Sequence, residues 1–301
     1  MECIIMNKFF MMAGLPGSGK STKAQELSKE YNAVIHSSDK IREELFGTED
    51  IQNDNDLVFQ TLHKRIKSDL RDGKNVIYDA TNINYKRRKT FLQEIKKIEC
   101  EKIAILMATP YKDCLENNLK RERKVPEEVI TRMYKNFYIP QYYEGWHDIQ
   151  IIWNYQDEDF NGEALFEELC AIPQENPYHT LTIGDHCNKC YEILEAKNLS
   201  CFIDVAGQFH DIGKKFTKEF NEEKGYCTYY QHHLVSAYDT MFYLDKIFFE
   251  NEILETCAYI TWHMQPFFIQ TEEAKNKFIK LVGQEFYDNL MLLHEADKLA
   301  K

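Results

Sequence analysis

The stretch from Gly14 to Thr22, GLPGSGKST, sets three glycines, a lysine and three hydroxyls at a spacing suited to holding a triphosphate. With no Cβ at Gly14, Gly17 and Gly19, the backbone can wrap a phosphate and turn its amides inward around Ser18. Lys20 can then reach the β/γ oxygens and Ser21 can hold Mg²⁺. Thr22 leads into a helix whose N-terminal dipole favours the same anion. An apolar run, Phe9 to Ala13, precedes the loop, and a helical pattern over residues 20–30 follows it. That strand–loop–helix setting gives the motif its physical meaning, and the ligand expected is ATP or another nucleoside triphosphate with Mg²⁺.

Further chemistry-bearing residues lie at expected strand ends. Asp39 follows the apolar run Ala33-Val34-Ile35, where its carboxylate can accept a proton from an attacking hydroxyl or cap the helix that starts at Lys40. Arg42, one turn on, can hold an acceptor phosphate. Asp79 closes Val76-Ile77-Tyr78 and suits a metal or water ligand. The basic run Lys120-Arg121-Glu122-Arg123-Lys124 suits a lid whose guanidinium groups offset charge on a transferred phosphoryl group.

A second group of residues belongs to different chemistry. Seven of the ten histidines lie beyond residue 150, among them His186, His210, His232 and His263. Asp211 adjoins His210. Asp297 falls seven residues after Leu290 and four after Leu293, which puts its carboxylate on an apolar helical stripe. Imidazoles and carboxylates converging inside a helical bundle call for a cation between them, because a buried unpaired carboxylate is costly. Imidazole with carboxylate suits one or two divalent ions among Mn²⁺, Ni²⁺, Co²⁺, Fe²⁺ and Zn²⁺.

The elements that must position these residues separate into two halves. The pattern predicts strands over 9–13, 33–38, 75–80, 102–108 and 148–153. Helices are expected over 20–30, 40–46, up to 71, 85–98, 111–123 and 126–138, with a polar loop over 48–55. Strands alternating with helices imply an α/β domain over residues 1–155, a parallel sheet covered by helices, with ligands at the carboxyl edge of the strands. An acidic, irregular linker over 156–177 holds a loop at 157–162 and a short helix over 163–170. An all-α bundle over 178–301 then has helices expected at 186–197, 201–212, 232–249, 252–264, 272–281 and 284–300. Residues 215–230 read as a loop or small hairpin.

Charge follows the same division. Residues 1–150 carry 25 Lys+Arg against 23 Asp+Glu, and residues 151–301 carry 12 against 26, for a net −12. Every arginine lies at or before Arg132. Phosphate clamping by guanidinium therefore belongs to the first half. The acidic second half excludes a long nucleic-acid footprint there but not a short strand end. No apolar run is long enough to span a membrane, and scattered cysteines, including Cys187 and Cys190, read as reduced thiols of a cytoplasmic protein.

The segments GLPGSGKST, SSDKIREELFG, VIYDATNINYKRR and NLKRERKVPEEVITRMYKNF resemble the polynucleotide 5′-kinase family over about the first 150 residues. The resemblance implies Lys20 and Ser21 on the nucleotide, Asp39 as general base on a 5′-hydroxyl and Arg42 on the acceptor's phosphate. It also implies Arg121, or alternatively Arg123, as the lid arginine. The pattern H…HD…H…H…D over about 178–301 resembles the HD-domain phosphohydrolases. That likeness implies His186, His210, Asp211 and Asp297 on a first metal, with His232 and His263 as the added histidines of two-metal members. It implies Lys214 on the scissile phosphate. Together the two resemblances imply an end-healing enzyme acting on RNA or DNA ends, with a 5′-kinase and a 3′- or 2′,3′-cyclic phosphatase, upstream of a ligase in RNA repair. The other readings are a small-molecule kinase fused to a nucleotide phosphohydrolase, and a regulatory or RNA-binding module.

Overall fold

In a computed structural model of the chain, residues 6–48, 54–156, 160–198 and 201–301 are described. They form two compact units, residues 1–130 with 140–155, and residues 131–139 with 156–301.

The first unit runs β1 (Lys8–Ala13), α1 (Lys20–Tyr31), β2 (Val34–Ser37), α2 (Ser38–Phe46), α3 (Asn55–Arg71), β3 (Val76–Asp79) and α4 (Tyr85–Glu94). It continues with β4 (Glu101–Ala108), α5 (Tyr111–Leu119), the first half of α6 (Glu127–Tyr134) and β5 (Asp148–Trp153). All strands are parallel, in the order β2-β3-β1-β4-β5. Phe10, Met12, Ile77, Ile103 and Ile105 pack with Ala24 and Leu27 of α1, so the sheet reads as continuous apolar runs. β3 and β4 flank β1 on opposite sides. The loop after β1 therefore opens at the carboxyl edge, between the ends of β3 and β4.

The second unit has α7 (Gly162–Leu169), α8 (Ile183–Glu195), α9 (Cys201–Phe209), α10 (Lys214–Thr217), a hairpin of β6 (Glu219–Asn221) and β7 (Tyr226–Thr228), α11 (His232–Leu244), α12 (Glu250–Trp262), α13 (Glu272–Val282) and α14 (Gln284–Leu299). Thr182 starts α8 by accepting the amide of Asp185 at 3.1 Å. Gly213 lets the turn after Asp211 press on α11, since a Cβ there would meet His232 O at 2.5 Å.

Several expectations need correction. The helix expected over 201–212 ends at Phe209, so His210 and Asp211 sit in the turn beyond it, and the helix expected to 249 ends at Leu244. The second half is helix-rich but not all-α, because residues 219–228 pair as a hairpin. Residues 131–139 count with the second unit, where Phe137 packs on Tyr238 at 4.9 Å. The boundary drawn at 155 leaves that stretch on the other side. Within the expected linker, Leu165 and Leu169 of α7 are buried. Most of the loops expected at 48–55 and 157–162 lies outside the described residues.

Candidate functional sites

The loop after β1 is a tight nest. Gly17 and Gly19 have φ of 85° and 88°, and a Cβ on Gly17 would meet Cys114 O at 2.2 Å, so only glycine fits there. Thr109 Oγ1 donates to Ser18 O at 3.1 Å and Asn117 Nδ2 to Gly17 O at 3.2 Å, fixing the loop from outside. Gly14 N donates to Thr81 O at 3.0 Å. Lys20 Nζ turns back onto Leu15 O at 2.6 Å, inside the loop's own curve. Burial pulls its ammonium down to about 8, with Asp79 opposing. Ser21 Oγ donates to Asp79 Oδ2 at 3.0 Å, bringing together a hydroxyl and a carboxylate suited to one Mg²⁺. Burial raises the Asp79 pKa, against the pull of Lys20. Thr22 is exposed on the first turn of α1.

Asp39 departs from one expectation. The N-cap of α2 is Ser37, so Asp39 lies within the first turn and is free of a capping role. Its carboxylate instead accepts from Arg42 Nη1 at 3.1 Å and faces Arg123 Nη1 at 3.7 Å. Arg42 is buried, its Nη2 donates to Asn55 Oδ1 at 2.7 Å, and its buried Nε meets no acceptor among the described residues. Arg123 thus reaches Asp39, while the charge of Arg121 is felt at Lys20.

Two residues that sequence reasoning did not single out hold this edge in place. Buried Arg88 of α4 forms a two-pronged pair with buried Glu144, at 2.8 and 2.6 Å, and its Nη1 donates to Asn82 O at 2.8 Å. Asn82 sits at φ 45° and donates to Met12 O at 2.7 Å, next to the phosphate loop. The chain Glu144–Arg88–Asn82–Met12 therefore supports the end of β1. The one available signal was an arginine one turn into the helix after DATN.

The second unit gathers the residues expected to hold metal. His186 comes from α8, His210 and Asp211 from the turn after α9, His232 from α11, His263 from the end of α12 and Asp297 from α14. His186 Nε2 lies 3.1 Å from His210 Nε2, and His232 Nε2 lies 3.1 Å from His263 Nε2. Each of the four Nδ1 atoms meets a backbone carbonyl: Ala300 at 2.5 Å, and Gly207, Tyr229 and Ile260 at 2.7 Å. Carbonyls only accept, so Nδ1 carries the proton and Nε2 presents its lone pair in the neutral ring. Bare lone pairs facing each other at this distance repel unless a proton or a metal ion lies between them. Two ligands at right angles on an ion with a bond of about 2.1 Å sit about 3.0 Å apart, which fits both pairs.

Asp211 joins the pairs. Its Oδ2 is 3.2 Å from His186 and 3.3 Å from His210, and its Oδ1 is 3.1 Å from His232 and 3.7 Å from His263. One carboxylate can thus serve two cations, one oxygen each. Asp297 Oδ1 adds to the first pair, 3.2 Å from His186 and 3.8 Å from His210. The groups His186, His210, Asp297 and His210, Asp211, His263 are each close enough to share an ion. At His210 burial opposes charge, yet Asp211 and Asp297 outweigh it and hold the ring up at about 10. At Asp211 burial is likewise overcome, by His210 and Lys214, leaving the carboxyl well below its usual range. The field of this pocket favours positive charge at its centre. Lys214 Nζ reaches Asp211 Oδ2 at 2.5 Å and Gln174 Oε1 at 2.7 Å, on the rim of the cluster. His179 and His233 lie beside the cluster, their ring pKa values lowered by burial to about 4 and about 3. Burial also keeps the Cys187 and Cys190 thiols protonated.

A parallel sheet with a glycine-rich loop of phosphate-binding pattern after its central strand, covered by helices, gives the first unit the α/β P-loop fold, and a helix-rich region follows it. Residues 9–140 match the family model described as AAA domain. The chain is 28% identical over 167 residues to L-seryl-tRNA(Sec) kinase of Methanococcus maripaludis, an alignment covering 54% of this chain and 64% of that protein. It thus spans less than two thirds of that relative's length. Among solved structures it is similar to a chain of the Pnkp1/Rnl/Hen1 RNA repair complex, with 21% identity, a TM-score of 0.40 and coverage of 42% of this chain and 43% of that one. It is also similar to a gluconokinase from Sinorhizobium meliloti 1021, with 13% identity, a TM-score of 0.38 and coverage of 50% and 85%. No helix among the described residues is long and apolar enough to cross a membrane.

Proposed function

We propose that this chain is a two-site enzyme that reshapes polynucleotide ends, phosphorylating a 5′-hydroxyl at the first site and removing a terminal 3′- or 2′,3′-cyclic phosphate at the second. The observation that carries the reading is the presence in one chain of two unlike clusters suited to phosphate chemistry. One is a loop of amides with Lys20, and the other is two imidazole pairs joined by Asp211.

At the first site the loop amides and Lys20 hold the triphosphate of ATP or another nucleoside triphosphate, with Ser21 and Asp79 on the side of Mg²⁺. Asp39 accepts the proton as the acceptor oxygen bonds to the γ-phosphorus and the bond to the β-phosphate oxygen breaks. Arg42, beside Asp39, holds the acceptor's phosphate and positions the base. Arg121 and Arg123 offset charge on the group in transit. At the second site His186, His210, Asp211 and Asp297 would hold one divalent transition metal, and His232, His263 and Asp211 a second. Such ions supply an activated water and neutralise phosphate charge. Lys214 binds a non-bridging phosphate oxygen, and the carbonyls behind the four Nδ1 atoms keep each ring aimed inward. The products, a 5′-phosphate and a free 3′-hydroxyl, are the ends a ligase joins.

A second reading of the kinase site draws on the L-seryl-tRNA(Sec) kinase relative, whose name describes an acceptor hydroxyl carried on an RNA. Transfer from γ-labelled ATP to 5′-hydroxyl RNA, 5′-hydroxyl DNA, free nucleosides and seryl-tRNA, run side by side, separates the two. Label on a 5′ end supports the first reading, and label on seryl-tRNA or nucleosides alone replaces it.

A further inference from the structure

Tyr178 and Tyr230 are each 62% exposed, a large aromatic surface to leave in water, and they are not scattered. Tyr178 meets Tyr226 edge-to-face at 5.9 Å, with their hydroxyls 3.3 Å apart. Lys224 Nζ donates to Tyr230 Oη at 3.0 Å. Tyr226 opens β7 two residues after Lys224, so the Tyr178–Tyr226 pair and the Lys224–Tyr230 pair meet the same β6–β7 hairpin, where the three rings and one ammonium form a ledge.

The ledge is built onto the rim of the histidine–aspartate cluster through sequence neighbours. Tyr178 adjoins His179, whose ring meets that of His186 edge-on at 4.8 Å. Tyr230 adjoins Tyr229, whose carbonyl orients His232 through Nδ1 at 2.7 Å. The Tyr229 ring also lies under Lys214 Nζ, 5.4 Å from its centroid. Tyr178 and Tyr230 thus each stand one residue from a group that touches the cluster.

We infer that Tyr178, Tyr226 and Tyr230 stack the last one or two bases of a single-stranded polynucleotide whose phosphorylated 3′ end enters the cluster. The inference rests on the phosphatase reading above and names its substrate class. Every base has a π-face, so aromatic rings hold a strand end without regard to sequence. Charge sets the length of the footprint. Around the rings, Lys218 and Lys224 are outnumbered by Glu219, Glu222 and Glu223, and the second half contains no arginine. A run of phosphates would be repelled, whereas one terminal phosphate held in the cluster beside Lys214 is not. Base stacking next to a single neutralised phosphate is what remains.

The test uses the full chain loaded with Mn²⁺. Hydrolysis is followed on a 3′-phosphorylated oligonucleotide and on p-nitrophenyl phosphate. In parallel, an oligonucleotide with 4-thiouridine at its phosphorylated 3′ end is photo-crosslinked and the adduct mapped by mass spectrometry. The double variant Tyr178→Ala/Tyr230→Ala should raise KM for the oligonucleotide about tenfold or more and leave p-nitrophenyl phosphate unchanged. Tyr178→Phe, which keeps the ring and loses the hydroxyl contact, should behave as wild type. The crosslink should fall on residues 174–189 or 219–230. A crosslink elsewhere, or equal KM changes on both substrates, overturns the ledge. Hydrolysis of neither substrate removes the phosphatase reading, and the crosslink then still decides the ledge on its own.

Discussion

Asp239 lies under α6 with both carboxylate oxygens 2.6 Å from the Tyr134 hydroxyl, while the nearby Lys215 is engaged by Glu168 at 2.6 Å. Burial pushes its pKa up to about 7, with the Tyr134 hydrogen bond opposing. A folded-state pKa above the unfolded one means that the folded chain binds the proton more tightly. Its contribution to stability is full below about pH 4 and is lost as pH rises through 7. Asp239→Asn, which keeps an acceptor for Tyr134, should therefore stabilise the protein at pH 8 by about 2–4 kcal/mol and by almost nothing at pH 4. Urea unfolding at the two pH values measures the difference, and an equal effect at both would mean the carboxylate is already solvated. Arg42 yields a second expectation at this scale. With Nη1 on Asp39 and Nη2 on Asn55, it is held as a fork rather than as a mobile surface charge. Arg42→Lys should raise the acceptor KM about tenfold or more and leave the KM for ATP nearly unchanged, because a point charge cannot replace a bidentate donor. Equal changes in both constants would place Arg42 on the nucleotide side.

At the scale of elements, the short turn Tyr142–Glu144 does more for the phosphate loop than its length suggests. Glu144 accepts Arg88 at two oxygens, the Trp146 indole at 3.2 Å and the Gln141 amide at 3.1 Å, all out of solvent. Removing one partner leaves the other charge buried and uncompensated, so Glu144→Gln should cost about 3–5 kcal/mol. Through Asn82 and Met12 it should also weaken ATP binding, whereas the paired change Arg88→Met/Glu144→Leu should recover much of the stability. Thermal melts with and without ATP read both effects. This pair also marks the limit of what the sequence made legible. The P-loop, the strand-end carboxylate Asp79 and the histidine cluster could be read because each depends on local spacing or on residue types rarely buried alone. The Arg88–Glu144 pair joins residues 56 apart, and nothing local says which of several charges meet inside. Helix ends were misjudged for a related reason. Ile212 alone extends the apolar pattern past Phe209, and His210 and Asp211 lie in the turn beyond the helix, facing His186. The N-cap position open to Asp39 is Ser37's, because the helix begins at Ser38.

For the whole molecule, the two sites make opposite demands on the chain. The first rests on a sheet whose core is complete without ligand, since Phe10, Met12, Ile77 and Ile105 are buried against α1. The second draws side chains from α8, α11, α12, α14 and the turn after α9, and brings four imidazoles and two carboxylates to a point where they could hold a cation. Binding to the folded state alone stabilises it by about 2.7 kcal/mol at a hundredfold excess over Kd. Chelation should therefore lower the melting temperature of the second unit and leave that of the first nearly unmoved, giving two transitions in place of one. Asp211→Ala removes the carboxylate shared by both pairs, so purified protein should lose one or two metal ions per chain, by elemental analysis, together with all phosphatase activity. Transfer from ATP at Lys20 and Asp39 should persist, because Ser21 and Asp79 serve a separate ion. Lys20→Ala should give the mirror image, with label transfer abolished and metal content and phosphatase activity retained. If Asp211→Ala silences both activities in a folded protein, the sites are not independent. If wild-type protein holds no metal after incubation with manganese, nickel, cobalt or zinc, the cluster is a histidine-rich core and the chain is a kinase alone.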